Sequence, residues 1–264
     1  MKVVSLGGDL NAYTVAFDPA LLEELRAVYA EAIAGYLIRE EGRDLLGGGK
    51  PVAVGWEHYP YKFHVSSYGH APLLWISNDN LAAYQLFERF FRSLDVVNEI
   101  KSLVDFEQNI VLYCGFFVVG DHLDRPAWHV DYFEGANAYT LITPLFDLES
   151  GHGRLLFRDD SDREPQFPKI GIYSYRVGEA IVVGEGFAHS TEPYRATGSL
   201  RVLASLTFGT DKLEYWKVLK QTAGKQSNFM ILPCGHRMGN CSCLESFDGD
   251  PVPMHSAGSG DGHG

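Results

Sequence analysis

The chain has 264 residues, 45% of them apolar, and a formal net charge of -12. That length fits one large domain, or one with a small appendage, and leaves ample apolar material for a core. The acidic balance argues against a nucleic-acid partner, which needs a basic footprint, and no apolar run approaches the roughly 20 residues of a membrane span. Met1–Gly8 is too short in apolar run for a signal peptide, so a cytoplasmic location without a membrane partner is expected.

Residues 1–17 read as a strand-like lead-in. Asp18-Pro19 is a helix start, with Asp as cap and Pro in the first turn. Leu22, Leu25, Val28, Tyr29, Ala32, Ile33, Tyr36 and Leu37 then recur at three- and four-residue steps, predicting an amphipathic helix to about Arg39–Leu45. Pro51–Trp75 has no clean period, and its Trp56, Tyr59, Tyr61, Phe63 and Tyr68 suit a long loop that lines a pocket, forms a lid, or covers a sheet. A second helix is expected from Asn78 or Asp79 to Val104, on the stripe Leu81, Tyr84, Phe87, Phe90, Phe91 and Leu94.

From Asn109 the pattern turns to short β-branched and aromatic runs punctuated by Gly and Asp. Strands are expected near 110–119, 128–133, 138–146, 154–158, 171–177, 180–184, at His189, and at 199–208. A helix near 212–221 closes the domain. The fold class is therefore α+β: a jelly roll, or double-stranded β-helix, with the N-terminal amphipathic helices packed on one sheet. One domain over 1–225 is expected, with a helical or lid part to 108 and a core at 109–210. A Cys/His-bearing tail follows at 226–264, and the composition of its Gly/Ser/Pro-rich end, 248–264, predicts disorder.

The chemistry concentrates in Trp128-His129-Val130-Asp131. On an extended strand a histidine and a carboxylate two residues apart project to one face. A third ligand is available at His189, 58 positions beyond Asp131. Together they make a two-histidine, one-carboxylate set of the kind that binds Fe(II) on one face and leaves the other positions open. Arg201 lies inside the apolar strand 200–208, where its cost demands an anion; a carboxylate gripped by its planar fork is the natural one. The competing reading pairs Arg201 with Glu179 or Glu185. Ser205, on the same face by parity, adds a hydroxyl. A second H-x-D, His122-Leu123-Asp124, sits in a polar loop and reads as a solvated pair. His152 competes with His189 as the distal ligand but lies in a Gly turn. Trp128, Tyr132 and Phe133 read as core.

These residues resemble the Fe(II)/2-oxoglutarate-dependent oxygenase superfamily, most nearly its prolyl-4-hydroxylase-like branch, over about 110–208. The motif is H-x-D, a distal His some fifty residues on, and a basic residue beyond it: His129, Asp131, His189 and Arg201. The resemblance implies Fe(II), 2-oxoglutarate as cosubstrate and dioxygen, with succinate and carbon dioxide as coproducts. It implies that Tyr113, Thr140 and Ser205 join Arg201 around the cosubstrate. Pro144 stands where the family often has a tyrosine, and Tyr139 is the substitute at hand. The implied function is hydroxylation of an unactivated C–H in a small molecule, amino acid or peptide. A desaturase or cyclase of a natural-product pathway shares the triad. A cupin-like metal enzyme without cosubstrate and a non-catalytic jelly-roll binding module are the rivals from other classes. Separately, Cys234, His236, Cys241 and Cys243 match a Cys3His zinc site, against reduced thiols without metal.

Overall fold

A computed structural model describes residues 3–8, 10–39, 44–46, 48–68, 71–148, 152–159 and 169–244. The expectation for 248–264 lies outside them. The lead-in forms β1 (Val3–Ser5) and β2 (Ala12–Ala16). Asp18 caps the next turn, accepting from the Ala20 amide at 3.0 Å, with Pro19 in the first turn. The expected single helix is broken up: a 3-10 turn at Pro19–Leu22, α1 (Glu23–Val28), a π-helical stretch at Tyr29–Ala34, and the short α2 (Gly35–Leu37). The second helix is also divided. In α3 (Leu81–Ser93) Asn80 is the cap, its side chain accepting from Ala83 N. Asp95 then turns left-handed at φ 49°, a conformation Asp tolerates better than most residues, and α4 (Val96–Ile100) starts afresh.

Pro51–Trp75 is not a loop. It carries β3 (Val52–Val54), β4 (Phe63–Ser67) and the start of β5 (Leu73–Asn78). Phe63-His64-Val65-Ser66 does alternate buried and half-buried, but for too few residues to stand out between its flanking turns. The later strands are β6 (Val111–Gly120), β7 (Ala138–Pro144), β8 (Leu155–Asp159), β9 (Lys169–Tyr173), β10 (Glu179–Val183), β11 (His189–Thr191) and β12 (Arg201–Gly209). After β12 the expected closing helix is reduced to a 3-10 turn at Leu213–Tyr215 and α5 (Trp216–Leu219).

Among the described residues these strands build two sheets, β1-β2-β10-β7-β12-β6-β5-β4-β3 and β11-β8-β9, with every pairing antiparallel. The fold is thus mostly antiparallel β with few helices, and jelly-roll-like: β7-β12-β6-β5 of the large sheet and β11-β8 of the small one both line a cavity. Alternation along β12 divides the two sides of the large sheet. Arg201, Leu203 and Ser205 line the cavity, while Val202, Ala204, Leu206 and Phe208 belong to the main core. That core also holds Leu22, Leu25, Phe87 and Phe91, with ring contacts Phe87–Phe117 at 5.0 Å and Phe91–Phe208 at 4.9 Å.

At Gly115 on β6 an added Cβ would sit 2.2 Å from Phe87 Cγ. Gly115→Ala is therefore expected to force α3 off the sheet and cost about 1–3 kcal/mol, as overpacking does. Denaturant unfolding with an unchanged m-value would show it. An unaltered midpoint would mean that Phe87 moves freely.

Candidate metal centre

His189 opens β11 and pairs on one side with Phe157 of β8. On its other side it meets residue 129 in an isolated antiparallel bridge, His129 N donating to His189 O at 3.0 Å and His189 N to His129 O at 2.9 Å. No regular strand forms over 128–133, contrary to expectation: the bridge is one residue long and the chain bends at Asp131-Tyr132. The bend has a visible partner in Tyr132, which is fully buried in a second core cluster with Tyr113 and Trp216. Its hydroxyl donates to Tyr139 O at 3.2 Å and accepts from Thr140 Oγ1 at 2.9 Å. Gly186 N also bonds Tyr132 O at 3.1 Å. Asp131 is left with Oδ1 3.6 Å from His129 Nε2 and 3.8 Å from His189 Nε2. The three offer ligand atoms within 4.8 Å of one another, a group able to hold one metal ion.

The imidazoles are set for that task. His129 Nδ1 lies 2.9 Å from Ala127 O, and His189 Nδ1 lies 3.0 Å from Phe187 O. A carbonyl only accepts, so each Nδ1 carries a proton, and Nε2 on the Asp131 side is the nitrogen left to bind a metal. Burial lowers the pKa of His189, the nearby Asp131 opposes that effect, and the His129 charge adds to it. The result is a neutral ring, the form a metal requires. Phe187 stacks along His189, with centroids 5.6 Å apart. Two imidazoles and a carboxylate fit a facial triad for Fe(II).

The triad opens onto a cavity of about 90 Å³ between the sheets. Leu73, Trp75, Phe116, Val118 and Leu203 make it apolar, and Thr140, Ser205 and Arg201 also stand on its walls. Arg201 is 1% exposed, yet its Nε and Nη2 have no hydrogen-bond partner. The ion-pair reading of Arg201 fails among the described residues. Glu179 accepts from the Tyr173 hydroxyl, and Glu185 accepts from the Gly135 and Asn137 amides. What lies against the guanidinium is the Tyr175 ring, 5.2 Å from Cζ. Gly153, at φ +66°, makes room for it: a Cβ there would come within 2.8 Å of Arg201 Cδ and Nε.

Tyr113 does not reach the cavity. The β6–β12 register slips between Thr207 and Phe208, so that Cys114 faces Thr207, Leu112 faces Phe208, and Tyr113 is the extra bulge residue. Its hydroxyl donates to Thr210 O at 2.6 Å inside the second core. Tyr113→Phe is accordingly expected to leave 2-oxoglutarate affinity unchanged and to lower stability by about 1 kcal/mol, the net worth of a buried hydrogen bond. Parallel cosubstrate titration and thermal unfolding check this; a weakened titration would return Tyr113 to the site. Tyr139 is likewise elsewhere, its hydroxyl 3.4 Å from Leu103 O.

The remaining expectations divide. His122 is paired with Asp121, and neither His122 nor Asp124 joins a metal-binding group. His152 is buried edge-on to Tyr194 with its Nε2 unpartnered, outside the triad. Of the three aromatics read as core only Tyr132 is; Phe133 is 50% exposed, and Trp128 lies half-buried under the Arg158 guanidinium. Tyr68 and Trp75 of the aromatic stretch do line the cavity, while Trp56 is exposed. The sequence reading missed Tyr175 and Gln226. Gln226 lies beyond the last strand, reaches the cavity, and accepts from Thr207 Oγ1 at 2.7 Å. No motif signals it.

No protein-family model matches the chain, and no curated protein does. Solved structures similar in shape include one with 2-oxoglutarate bound and one described as alpha-ketoglutarate-dependent. HygX from Streptomyces hygroscopicus, with nickel and 2-oxoglutarate bound, is 13% identical over 76% of this chain and 83% of its own, at a TM-score of 0.45. The non-heme alpha-ketoglutarate-dependent epimerase SnoN, from nogalamycin biosynthesis, is 18% identical over 74% and 84% (TM-score 0.41). AviO1 from Streptomyces viridochromogenes Tue57 is 15% identical over 76% and 90% (TM-score 0.49). No helix among the described residues is long and apolar enough to cross a membrane.

Proposed function

We propose that the chain is an Fe(II)- and 2-oxoglutarate-dependent oxygenase, nearest in motif to the prolyl-4-hydroxylase-like branch, that hydroxylates a C–H bond of a small molecule, amino acid or peptide. One observation carries the reading: a buried guanidinium with two unpartnered nitrogens shares a small apolar cavity with two imidazoles and a carboxylate. A buried cation is costly without an anion. A dicarboxylate with one end at a metal and the other at Arg201 relieves that cost.

His129, Asp131 and His189 would hold the metal, and Arg201 the far carboxylate, with Ser205 and Thr140 on the same walls. Bound together, the metal and the oxo acid supply oxidation of a substrate C–H by dioxygen, with succinate and carbon dioxide as coproducts. The chain's own share is position and dryness. The Ala127 and Phe187 carbonyls fix the two rings, and Trp75, Phe116 and Leu203 keep bulk water out. Asp131 supplies the carboxylate that halogenating relatives of this superfamily lack, which favours hydroxylation; desaturation and ring closure use the same triad. In this reading the N-terminal helices back the large sheet. Substrate approaches through the hollow beside Tyr68, lined by Pro72, Leu123, Arg125 and Ala127. The acidic chain suits no nucleic acid, and its four thiols suit a reducing cytoplasm.

The test is anaerobic addition of Fe(II) and 2-oxoglutarate. A visible metal-to-ligand charge-transfer band is expected, followed in air by succinate release with a panel of amino acids, peptides and metabolites. No band would sink the assignment.

A further inference from the structure

The second group of metal-ligating side chains lies outside this site, after the last strand, and the oxygenase reading makes no use of it. Ile231 and Arg237 form an antiparallel bridge, with Leu232 N bonded to His236 O and Met238 N to Met230 O, both at 2.8 Å. The segment is thus a small hairpin, a pairing not evident in the sequence. At its tip Gly235 adopts φ +79° and its amide bonds Leu232 O. That reversal, open only to residues tolerant of positive φ, puts Cys234 and His236 on either side of the turn. Gly239, at φ +88°, starts a second turn that returns the chain to Cys241 and the 3-10 turn Ser242–Leu244 carrying Cys243.

The four side chains converge. Cys234 Sγ lies 3.4 Å from Cys241 Sγ, and His236 Nδ1 lies 3.6 Å from Cys241 Sγ and 3.7 Å from Cys243 Sγ. Bond lengths for thiolate and imidazole on zinc, taken at a tetrahedral angle, put sulfurs about 3.8 Å apart and sulfur and nitrogen about 3.6 Å apart. The spacing is that of ligands around one ion, well outside a covalent S–S bond. The Cys243 amide donates to Cys241 Sγ at 3.3 Å, a contact that favours thiolate. All four ligand atoms fall within 4.8 Å of one another.

We propose that Cys234, His236, Cys241 and Cys243 bind one zinc ion in a closed tetrahedral site with a structural role. Four protein ligands leave no position for chemistry. The site's place in the fold says what it holds. Cys234, Met238, Cys241 and Leu244 pack against the cluster of Trp216, Met230, Leu232, Tyr132 and Tyr113. Tyr132 adjoins the Asp131 bend, and Gln226, earlier on the same segment, is a cavity wall. The zinc therefore staples the C-terminal segment under the candidate iron centre, where short turns and one bridge are the regular structure available.

The test uses the full chain and is independent of the oxygenase reading. Metal analysis after desalting is expected to find one zinc per chain in the wild type and in Asp131→Ala, and none in Cys241→Ser or Cys243→Ser. Replacing the zinc by Co(II) in the wild type should give the d–d and thiolate charge-transfer bands of a tetrahedral site, and strong chelation should lower Tm. The Co(II) spectrum needs no variant to fold. Absence of zinc from the wild type, its retention in both cysteine variants, an octahedral Co(II) spectrum, or a Cys234–Cys241 disulfide in the purified chain would each overturn the proposal.

Discussion

Asp131→Ala is expected to weaken Fe(II) binding by at least about 100-fold and to abolish the charge-transfer band, with the fold intact. Groups that merely orient a ligand are worth about 10- to 100-fold in metal affinity, so loss of a ligand sets a higher floor. The carboxylate is also the one anionic ligand type in the set, its oxygen 3.6 and 3.8 Å from the two imidazole nitrogens. Without it two imidazole donors remain, too few to hold a hard divalent ion against water. Stability should change little, because among the described residues Tyr132 and Gly186, and not Asp131, make the hydrogen bonds that organise the bend. Calorimetric titration of Fe(II), or of Mn(II) as a redox-silent substitute, alongside thermal unfolding measures both quantities. Unchanged metal affinity would remove Asp131 from the site.

Arg201→Met is expected to do the opposite: metal binding survives, 2-oxoglutarate affinity falls by about 100-fold or more, and the chain without cosubstrate becomes no less stable. Truncating one member of a buried charge pair costs 2–5 kcal/mol, and a factor of 100 is about 2.7 kcal/mol of that. The stability half of the prediction separates this account from a structural arginine. An arginine held by protein carboxylates is strongly destabilising to remove, whereas a buried one facing no carboxylate, with two nitrogens unpartnered, is costly to keep. Met roughly conserves the volume that Gly153 and Tyr175 enclose. The comparison to make is Tm with and without 2-oxoglutarate. The wild type should gain stability from the ligand and the variant should not. A large loss of Tm in the variant without ligand, with affinity retained, would make Arg201 structural.

Much of the site was legible in order along the chain, because each member carries its own chemical incongruity. His129 and Asp131 are polar residues two apart in an apolar stretch, and Arg201 is a cation inside a strand of nine buried residues. Strands β6 to β12 were legible for a similar reason, being β-branched and aromatic runs cut by Gly and Asp. The short strands at 52–78 were not, because a few alternating residues among turns carry little periodic signal. Helix interruptions escaped as well: the stripe from Leu22 to Leu37 is the same whether the turn between is α or π.

The sequence alone determined the candidate ligands His129, Asp131 and His189 and the buried cation Arg201, since a residue's type and spacing along the chain need no partner. Tertiary structure decided what depends on partners. The bulge at Tyr113 arises from a register slip against Phe208, and it sends a tyrosine of suitable type and position to Thr210. Gln226 reaches the cavity because the segment after α5 folds back across the barrel. His129 and Asp131 converge through one bridge to His189 and a bend beside Tyr132 rather than through a regular strand. Period fixes which face a residue takes on its own element; which other element covers that face is settled by register and packing between residues far apart in the chain.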